Sequence, residues 1–510
     1  MHLPVSGEFD LSELIRLYFG LRLNYEWARR GGERMRNIWS CTLIFFGVVI
    51  AQSVSAQASD SILDFIDGRY EETAGIARTI WEYAEVGYQE TRSSALLQQE
   101  LDAAGFAIEA GVAGIPTAFV ANHGHGGPVI AILAEFDALP GINQDAIPSR
   151  LPIEGKLAGH ACGHNLFGAG SVGAAIAIKH WLEQTGTPGT VRLIGTPAEE
   201  GGSGKVYLVR GGVFDDVDIA LHWHPADRNT AAASRSLANR SAKFRFRGQS
   251  AHAAGAPERA RSALDGVEAF NYMVNLMREH VPQETRIHYV ITAGGNAPNV
   301  VPDFAEVYYY LRHPDAAVVR NIWERIEEAA RGAGLGTETT VDREIIHGNY
   351  PLMINETLAL MMDEKLRQVG GVSYNDFEQV FAEEIHASFE RPSLPLGSEA
   401  VIQPYAVRQG YFSTDMGDVS VAVPTVGLST ATWVPGTAAH SWQSTAASGT
   451  TIGYKGAQVA AKTLSLAAIE LFENADLRAA ARAEFEHQRG GDFRYEALLG
   501  DRPPPLDYRN

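Results

Sequence analysis

The sequence predicts an α/β protein in which a mostly parallel sheet flanked by helices is interrupted by an inserted ferredoxin-like α+β domain. Three observations predict it. Short continuous apolar runs, of the kind found in strands buried on both faces, alternate with amphipathic helical stretches from Ser59 onward. Residues capable of chemistry follow directly on the ends of those runs, as they do in open α/β sheets. Between Ser241 and His347 the order becomes strand–helix–strand–strand–helix–strand, which is the ferredoxin-like order.

The elements follow in sequence. Ile62–Leu101 reads as two amphipathic helices with Trp81 and Tyr83 on the apolar side. Pro128–Ala134 is an unbroken apolar run and reads as a buried strand. Gly168–Leu182 is a helix rich in small residues, Thr190–Gly195 a second buried strand and Val217–His222 a third. Lys243–Arg247 alternates in polarity, as a half-solvated strand does. Arg261–His280 and Ala316–Gly332 read as helices, and Ile287–Ala293 and Glu306–Leu311 as strands. Ala457–Phe472 is a long helix, and the tail beyond Arg489, with Pro503-Pro504-Pro505, reads as extended. The expected organisation is a leader and upstream extension over 1–58 and a first catalytic half over 59–240. The insertion covers 241–347, a second half 348–488 and the tail 489–510.

Composition narrows the partners. With 510 residues the chain is long enough for two or three cored domains. Its formal net charge of −19 argues against nucleic acid or an anionic membrane as partner. Arg34 and Arg36 precede an apolar run from Trp39 to Ala51 that is short for a bilayer span, and Ala56-x-Ala58 follows as a small-residue cleavage signature. The expectation is cleavage after Ala58, export to a periplasm or the exterior, and no stable membrane anchor thereafter. Met35 is an alternative start, and an uncleaved anchor the alternative reading. Cleavage removes Cys41 and leaves Cys162 without a disulfide partner.

That thiol sits in Gly159-His160-Ala161-Cys162-Gly163-His164-Asn165. A thiol and an imidazole two residues apart can grip one metal site. Adjacent carboxylates at Pro197-Ala198-Glu199-Glu200-Gly201-Gly202 can divide metal ligation from proton transfer, and His222-Trp223-His224-Pro225 closes the next strand. Thiolate, imidazole and carboxylate together suit Zn²⁺ or Mn²⁺ and point to a metallohydrolase. Taken alone, each piece has a plainer reading as an inert buried thiol, a solvated acidic pair or a structural histidine. A metal-free cysteine hydrolase using Cys162, or a binding protein on a degenerate hydrolase fold, are the other-class alternatives.

With these segments in order, the chain resembles the metal-dependent aminoacylase and carboxypeptidase family that contains hippurate hydrolase and the plant auxin-conjugate amidohydrolases. It is most similar there to the branch of aminobenzoyl-glutamate hydrolase and the β-alanyl dipeptidases. The carriers are Ala134–Pro140, Gly159–Asn165, Pro197–Gly202, Trp223-His224-Pro225, Gly248–Ala254, Gly294–Pro302 and Ala439-His440-Ser441. The resemblance implies hydrolysis of an N-acyl or N-aroyl amino acid, or of a small dipeptide, by metal-activated water. It implies a divalent metal, two ions per protomer, held by Cys162, His164, Glu200, His224 and His440, with His222 as the alternative to His224. Glu199 becomes the general base, and Asp137 orients the ligands from behind. The insertion becomes a lid and homodimerisation domain. Its His252 stabilises the oxyanion in the partner's site, Asn299 contacts substrate across that interface, and Arg312 holds a substrate carboxylate. Asn165 and Glu135 stand where the wider family often has Asp, which sets the chain apart from hippurate hydrolase itself. The stretch from Gly371 to Gly410 matches no motif.

Overall fold

A computed structural model describes residues 61–231 and 233–509. The expected leader, its cleavage site and Met35 lie outside the described residues. Among the described residues no helix is long and apolar enough to cross a membrane.

The larger sheet has six strands: β1 (Ala107–Ala110), β2 (Phe119–His125), β3 (Val129–Ala134), β4 (Gly189–Gly195), β5 (Ile219–Ala226) and β10 (Thr425–Ala431). Their spatial order is β1-β2-β4-β3-β5-β10. β4, β3, β5 and β10 pair in parallel, and β2 runs antiparallel beside β4. Helices cover both faces. Ile130 and Ile132 of β3 join the core beneath α1 (Tyr70–Tyr83), α3 (His164–Thr185) and α11 (Thr451–Glu473). Ala131 and Leu133 join the opposite core, with α4 (Gly204–Arg210) and α9 (Met416–Ala422). Side chains alternate between faces, and both faces are buried, so the strand reads as one apolar run.

The second sheet comprises β6 (Ala238–Arg247), β7 (Arg286–Ala293), β8 (Phe304–His313) and β9 (Thr340–Asn349), ordered β7-β8-β6-β9 and antiparallel throughout. Helices α5 (Ala263–Met277) and α6 (Ala316–Gly336) cover one face. Phe244, Phe270, Tyr309 and Trp323 fill the space between, with Phe244 and Phe270 ring centroids 4.8 Å apart. Half-solvated alternation along β8 reflects the other face, which no helix of this domain covers.

Several boundaries move. α3 begins at His164 rather than at Gly168, so a predicted ligand is its first residue. The strand expected to end at His222 continues through Ala226, which places His222 and His224 on one strand. The motif-free stretch contributes α8 (Asp376–Ala387), which follows α7 (Glu356–Val369). Asn375 caps α8 with a reciprocal Asn375–Glu378 capping box. Other helices are α2 (Thr91–Ala103) near the start and α10 (Trp442–Ser448) and α12 (Ala475–Arg489) in the second half. Residues 490–509 contain no helix or strand, yet Leu498 and Leu499 are buried.

Candidate metal centre

The centre forms where β3, β4 and β5 end and the chain returns before α10. Gly163 caps the N-terminus of α3 with φ of 75°, and a Cβ there would lie 2.7 Å from Pro225. Only glycine adopts that turn at low cost, and it lets Cys162 and His164 face the same cleft. Cys162 Sγ lies 3.5 Å from His224 Nε2. His440 is delivered from the other end of the chain. Its N–H donates to Ala161 O at 2.9 Å, and Ser444 Oγ donates to the same carbonyl at 2.7 Å.

In each of two groups the donor atoms lie within 4.8 Å of one another, and both groups include Cys162: Cys162, His164 and His224 form one, and Cys162, Glu200 and His440 the other. All five predicted ligands are therefore brought together. His222 is in neither group. Its buried ring packs against Gly427, where a Cβ would lie 2.3 Å from it, and it lines the same cavity. Of the two histidines, the structure brings His224 to the cluster.

Around this core sits a buried charge network. Asp137 Oδ1 lies 2.9 Å from His164 Nδ1, and its Oδ2 accepts from the Glu200 N–H at 2.9 Å. Asp137 thus fixes the ring of one candidate ligand and the backbone of another. Glu135 Oε2 lies 2.9 Å from His164 Nε2, and Glu135 Oε1 takes Lys205 Nζ at 2.7 Å. Lys205 also reaches Asp415 Oδ1 at 2.7 Å, with all three side chains almost wholly buried. Glu199 joins Glu135 and His164 in a third close group.

Titration follows from these neighbours. Burial alone would raise Glu135, but Lys205 and then His164 outweigh it and hold the carboxyl well below the usual range. Burial, then the negative charges of Glu135 and Glu200, pushes Glu199 well above the ordinary carboxylate value. Burial and the Glu200 charge push the Cys162 thiol up. A thiol so placed needs a cation to become a thiolate ligand. Glu135 Oε2, His164 Nε2 and Glu200 Oε1 are buried without a hydrogen bond of acceptable geometry, so the donors fit a metal.

The cluster opens into a cavity of about 770 Å³. Phe167, Phe412 and Trp433 give it apolar wall, while Arg228 and Arg391 bring positive charge. Arg228 is paired with Asp227 at 2.6 Å.

Three predicted residues are not brought to this cavity. His252 and Asn299 are exposed on the inserted domain, joined by an Ala253 N–H to Asn299 O bond of 3.1 Å. Arg312 faces a separate cavity of about 810 Å³ beside Arg286 and Tyr310. Sequence reasoning missed Lys205, Asp415 and Arg391. A lysine after Gly204 looks like an ordinary surface residue, and its partner lies 210 positions away.

Comparison with known proteins fits this geometry. Residues 131–394 match the peptidase family M20/M25/M40. A p-aminobenzoyl-glutamate hydrolase chain of Escherichia coli (strain K12) is 39% identical over 461 residues, covering 84% of this chain and 94% of the relative. The chain belongs to this family. The Xaa-Arg dipeptidase of Mus musculus is 30% identical over 437 residues, covering 82% of this chain and 90% of that one. Among solved structures, the aminobenzoyl-glutamate utilization protein of Klebsiella pneumoniae superposes with a TM-score of 0.55 at 20% identity, over 78% of this chain and 97% of that one. A dinuclear metal-binding peptidase of Bacillus subtilis does so with a TM-score of 0.55 at 18% identity, over 80% and 99%. The last two establish the fold. Family membership makes the chain a metal-dependent hydrolase of amide bonds.

Proposed function

We propose that the protein releases a free amino acid from an N-acyl or N-aroyl amino acid of the p-aminobenzoyl-glutamate kind. The observation that carries this reading is the likeness to p-aminobenzoyl-glutamate hydrolase across 84% of the chain. The apolar wall of Phe167, Phe412 and Trp433 beside Arg391 supports it, since an aromatic acyl group and a carboxylate need those two kinds of surface.

Cys162, His164, Glu200, His224 and His440 would hold the metal. Two three-donor groups sharing one sulfur support two ions per protomer, and the donor types suit zinc or manganese. When bound, the metal polarises the carbonyl and lowers the pKa of water towards ~7. Glu199 would be the carboxylate that takes up the proton of the attacking water. Burial and the charges of Glu135 and Glu200 strengthen its hold on that proton, which it would then pass to the leaving amine. Asp137 holds the His164 ring and the Glu200 backbone in register.

His252 and Asn299 are assigned to a partner's site, since both are exposed on the inserted domain. Tyr272 and Leu276 on α5 and Val290 and Ile291 on edge strand β7 are exposed and supply apolar surface for a homodimer. Arg312 remains the candidate for a substrate carboxylate from the inserted domain's side. Export after cleavage at Ala58 is proposed from the sequence alone, and N-terminal sequencing of secreted protein checks it.

A dipeptidase is the second reading, favoured by the 30% identity to the Xaa-Arg dipeptidase. The deciding experiment is amino-acid release from hippurate, p-aminobenzoyl-glutamate, β-alanyl-lysine and N-acetyl amino acids, with added Mn²⁺ or Zn²⁺ and with chelator. Metal-dependent release led by p-aminobenzoyl-glutamate supports the first reading. Release led by β-alanyl-lysine replaces it with the second.

A further inference from the structure

The turn that carries Glu199 and Glu200 is unusual backbone. Ala198, Gly201 and Ser203 take φ of 58°, 85° and 61°, two of them non-glycine residues in the left-handed region. Such a turn persists where its surroundings over-determine it. The Ala198 N–H donates to buried Glu90 at 2.8 Å, the Glu200 N–H to Asp137 at 2.9 Å, and Tyr88 Oη donates to Gly202 O at 2.7 Å. A further grip, on the Glu200 carbonyl, comes from the far end of the chain. Tyr508 Oη donates to Glu200 O at 3.0 Å and Arg509 Nη2 donates to the same oxygen at 2.5 Å.

The segment that brings them is anchored along its length. Leu498 and Leu499 are buried. Arg210 of α4 donates to Gly500 O at 2.7 Å and to Arg502 O at 2.8 Å. Arg502 in turn donates to Ile345 O on β9, in the inserted domain. Gln89 Nε2 donates to Leu506 O at 2.9 Å, and the Tyr508 ring packs edge-on against Tyr88 at 5.6 Å. Prolines 503–505 stiffen the approach.

We propose that residues 490–509 form a strap that positions the Glu199–Glu200 turn, with Tyr508 and Arg509 as positioning residues that hold the Glu200 peptide from its carbonyl side while Asp137 holds it from its N–H side. The strap touches neither substrate nor metal and acts through Glu200. The inference rests on the assignment of Glu200 as a ligand and Glu199 as base.

The test uses the full chain with Tyr508→Phe, Arg509→Met, the double variant and Arg509→Lys. Zn²⁺ affinity is read by competition with a chromogenic chelator, which needs no substrate. Thermal melting is read alongside, with kcat and KM on whichever panel amide is turned over. Loss of a group that orients a metal ligand typically weakens affinity or activity ~10–100-fold. The double variant is expected to weaken Zn²⁺ binding by about tenfold and to lower kcat similarly. KM should stay within about twofold and the melting temperature nearly unchanged, with Arg509→Lys retaining most of what Arg509→Met loses. Unchanged Zn²⁺ affinity in the double variant overturns the strap. So does a loss that lysine does not rescue and that tracks a fall in melting temperature. Glu200→Ala is the control: if it leaves Zn²⁺ affinity intact, the ligand assignment fails instead.

Discussion

Replacing Lys205 by Met removes the cation between two buried carboxylates while keeping most of the side-chain volume. Lys205 Nζ contacts Glu135 and Asp415 at 2.7 Å each. Deleting one partner of a buried ion pair costs about 3–5 kcal/mol, because the remaining charge is left desolvated. The penalty has a ceiling. A stranded carboxyl can take up a proton, and at pH 7.5 that costs about 1.4 kcal/mol per unit above its ordinary pKa, roughly 5 kcal/mol in all. The sign with pH follows. In the wild type Glu135 is held below its ordinary value, so its contribution is present above the unfolded-state pKa and is lost as pH falls through the folded one. Asp415 is already raised to about 6 in the wild type because burial outweighs Lys205; without Lys205, burial raises Glu135 and lifts Asp415 further, and the variant regains stability on acidification. Guanidinium unfolding of the chelator-treated proteins should show a deficit of about 3–5 kcal/mol at pH 7.5, shrinking below about 2 kcal/mol at pH 4.5. A deficit under about 1 kcal/mol at pH 7.5, or one independent of pH, would refute the reasoning.

Burial raises Asp418 to about 7, although Tyr495 and the Tyr350 N–H bond it. A raised carboxyl stabilises the fold in its protonated form, so this contribution fades as pH rises from about 4 to about 7. Asp418→Asn should gain on the wild type by up to roughly 4 kcal/mol across that window, and a pH-independent difference in unfolding free energy would contradict it. His224→Ala should weaken Zn²⁺ affinity by more than about 100-fold, beyond the range of outer-shell changes, whereas His222→Ala should retain both ions; metal analysis after gel filtration separates them. Gly163→Ala, at φ of 75° and with a Cβ 2.7 Å from Pro225, should lose metal with Cys162 and His164 intact, and full metal content in that variant would sink the role given to the turn.

What the sequence makes legible is local. β3 reads as a buried strand because both its faces meet helices, so no polar residue interrupts it. The ferredoxin-like order emerges because each of its strands and helices keeps its own period over ten or so residues. Cys162 and His164 stand out because two donors sit on one turn of chain. His440 is different in kind. It reaches the cluster only through closure of the fold, bonding back to Ala161, and no spacing announces it. Resemblance supplied it. Lys205 and the strap had neither aid. The lysine is buried only because Glu135 and Asp415 surround it. Residues 490–509 have no period because they hold to the fold at scattered points, through buried Leu498 and Leu499, through bonds from Arg210 and Gln89 and through Tyr508 donating to the Glu200 carbonyl, rather than along one repeating face. The ends of α3 and β5 shift for one reason: polar ligands inside an element look like its boundary when the partner that buries them is unseen.

The central claim is that Glu199 moves the proton while its neighbours hold the metal. Metal content and turnover measured on one preparation of Glu199→Ala test it most directly, with the panel amide the wild type prefers. Turnover should fall by at least about 10²-fold with metal stoichiometry unchanged. Near-normal turnover, or loss of the metal together with the activity, would contradict it.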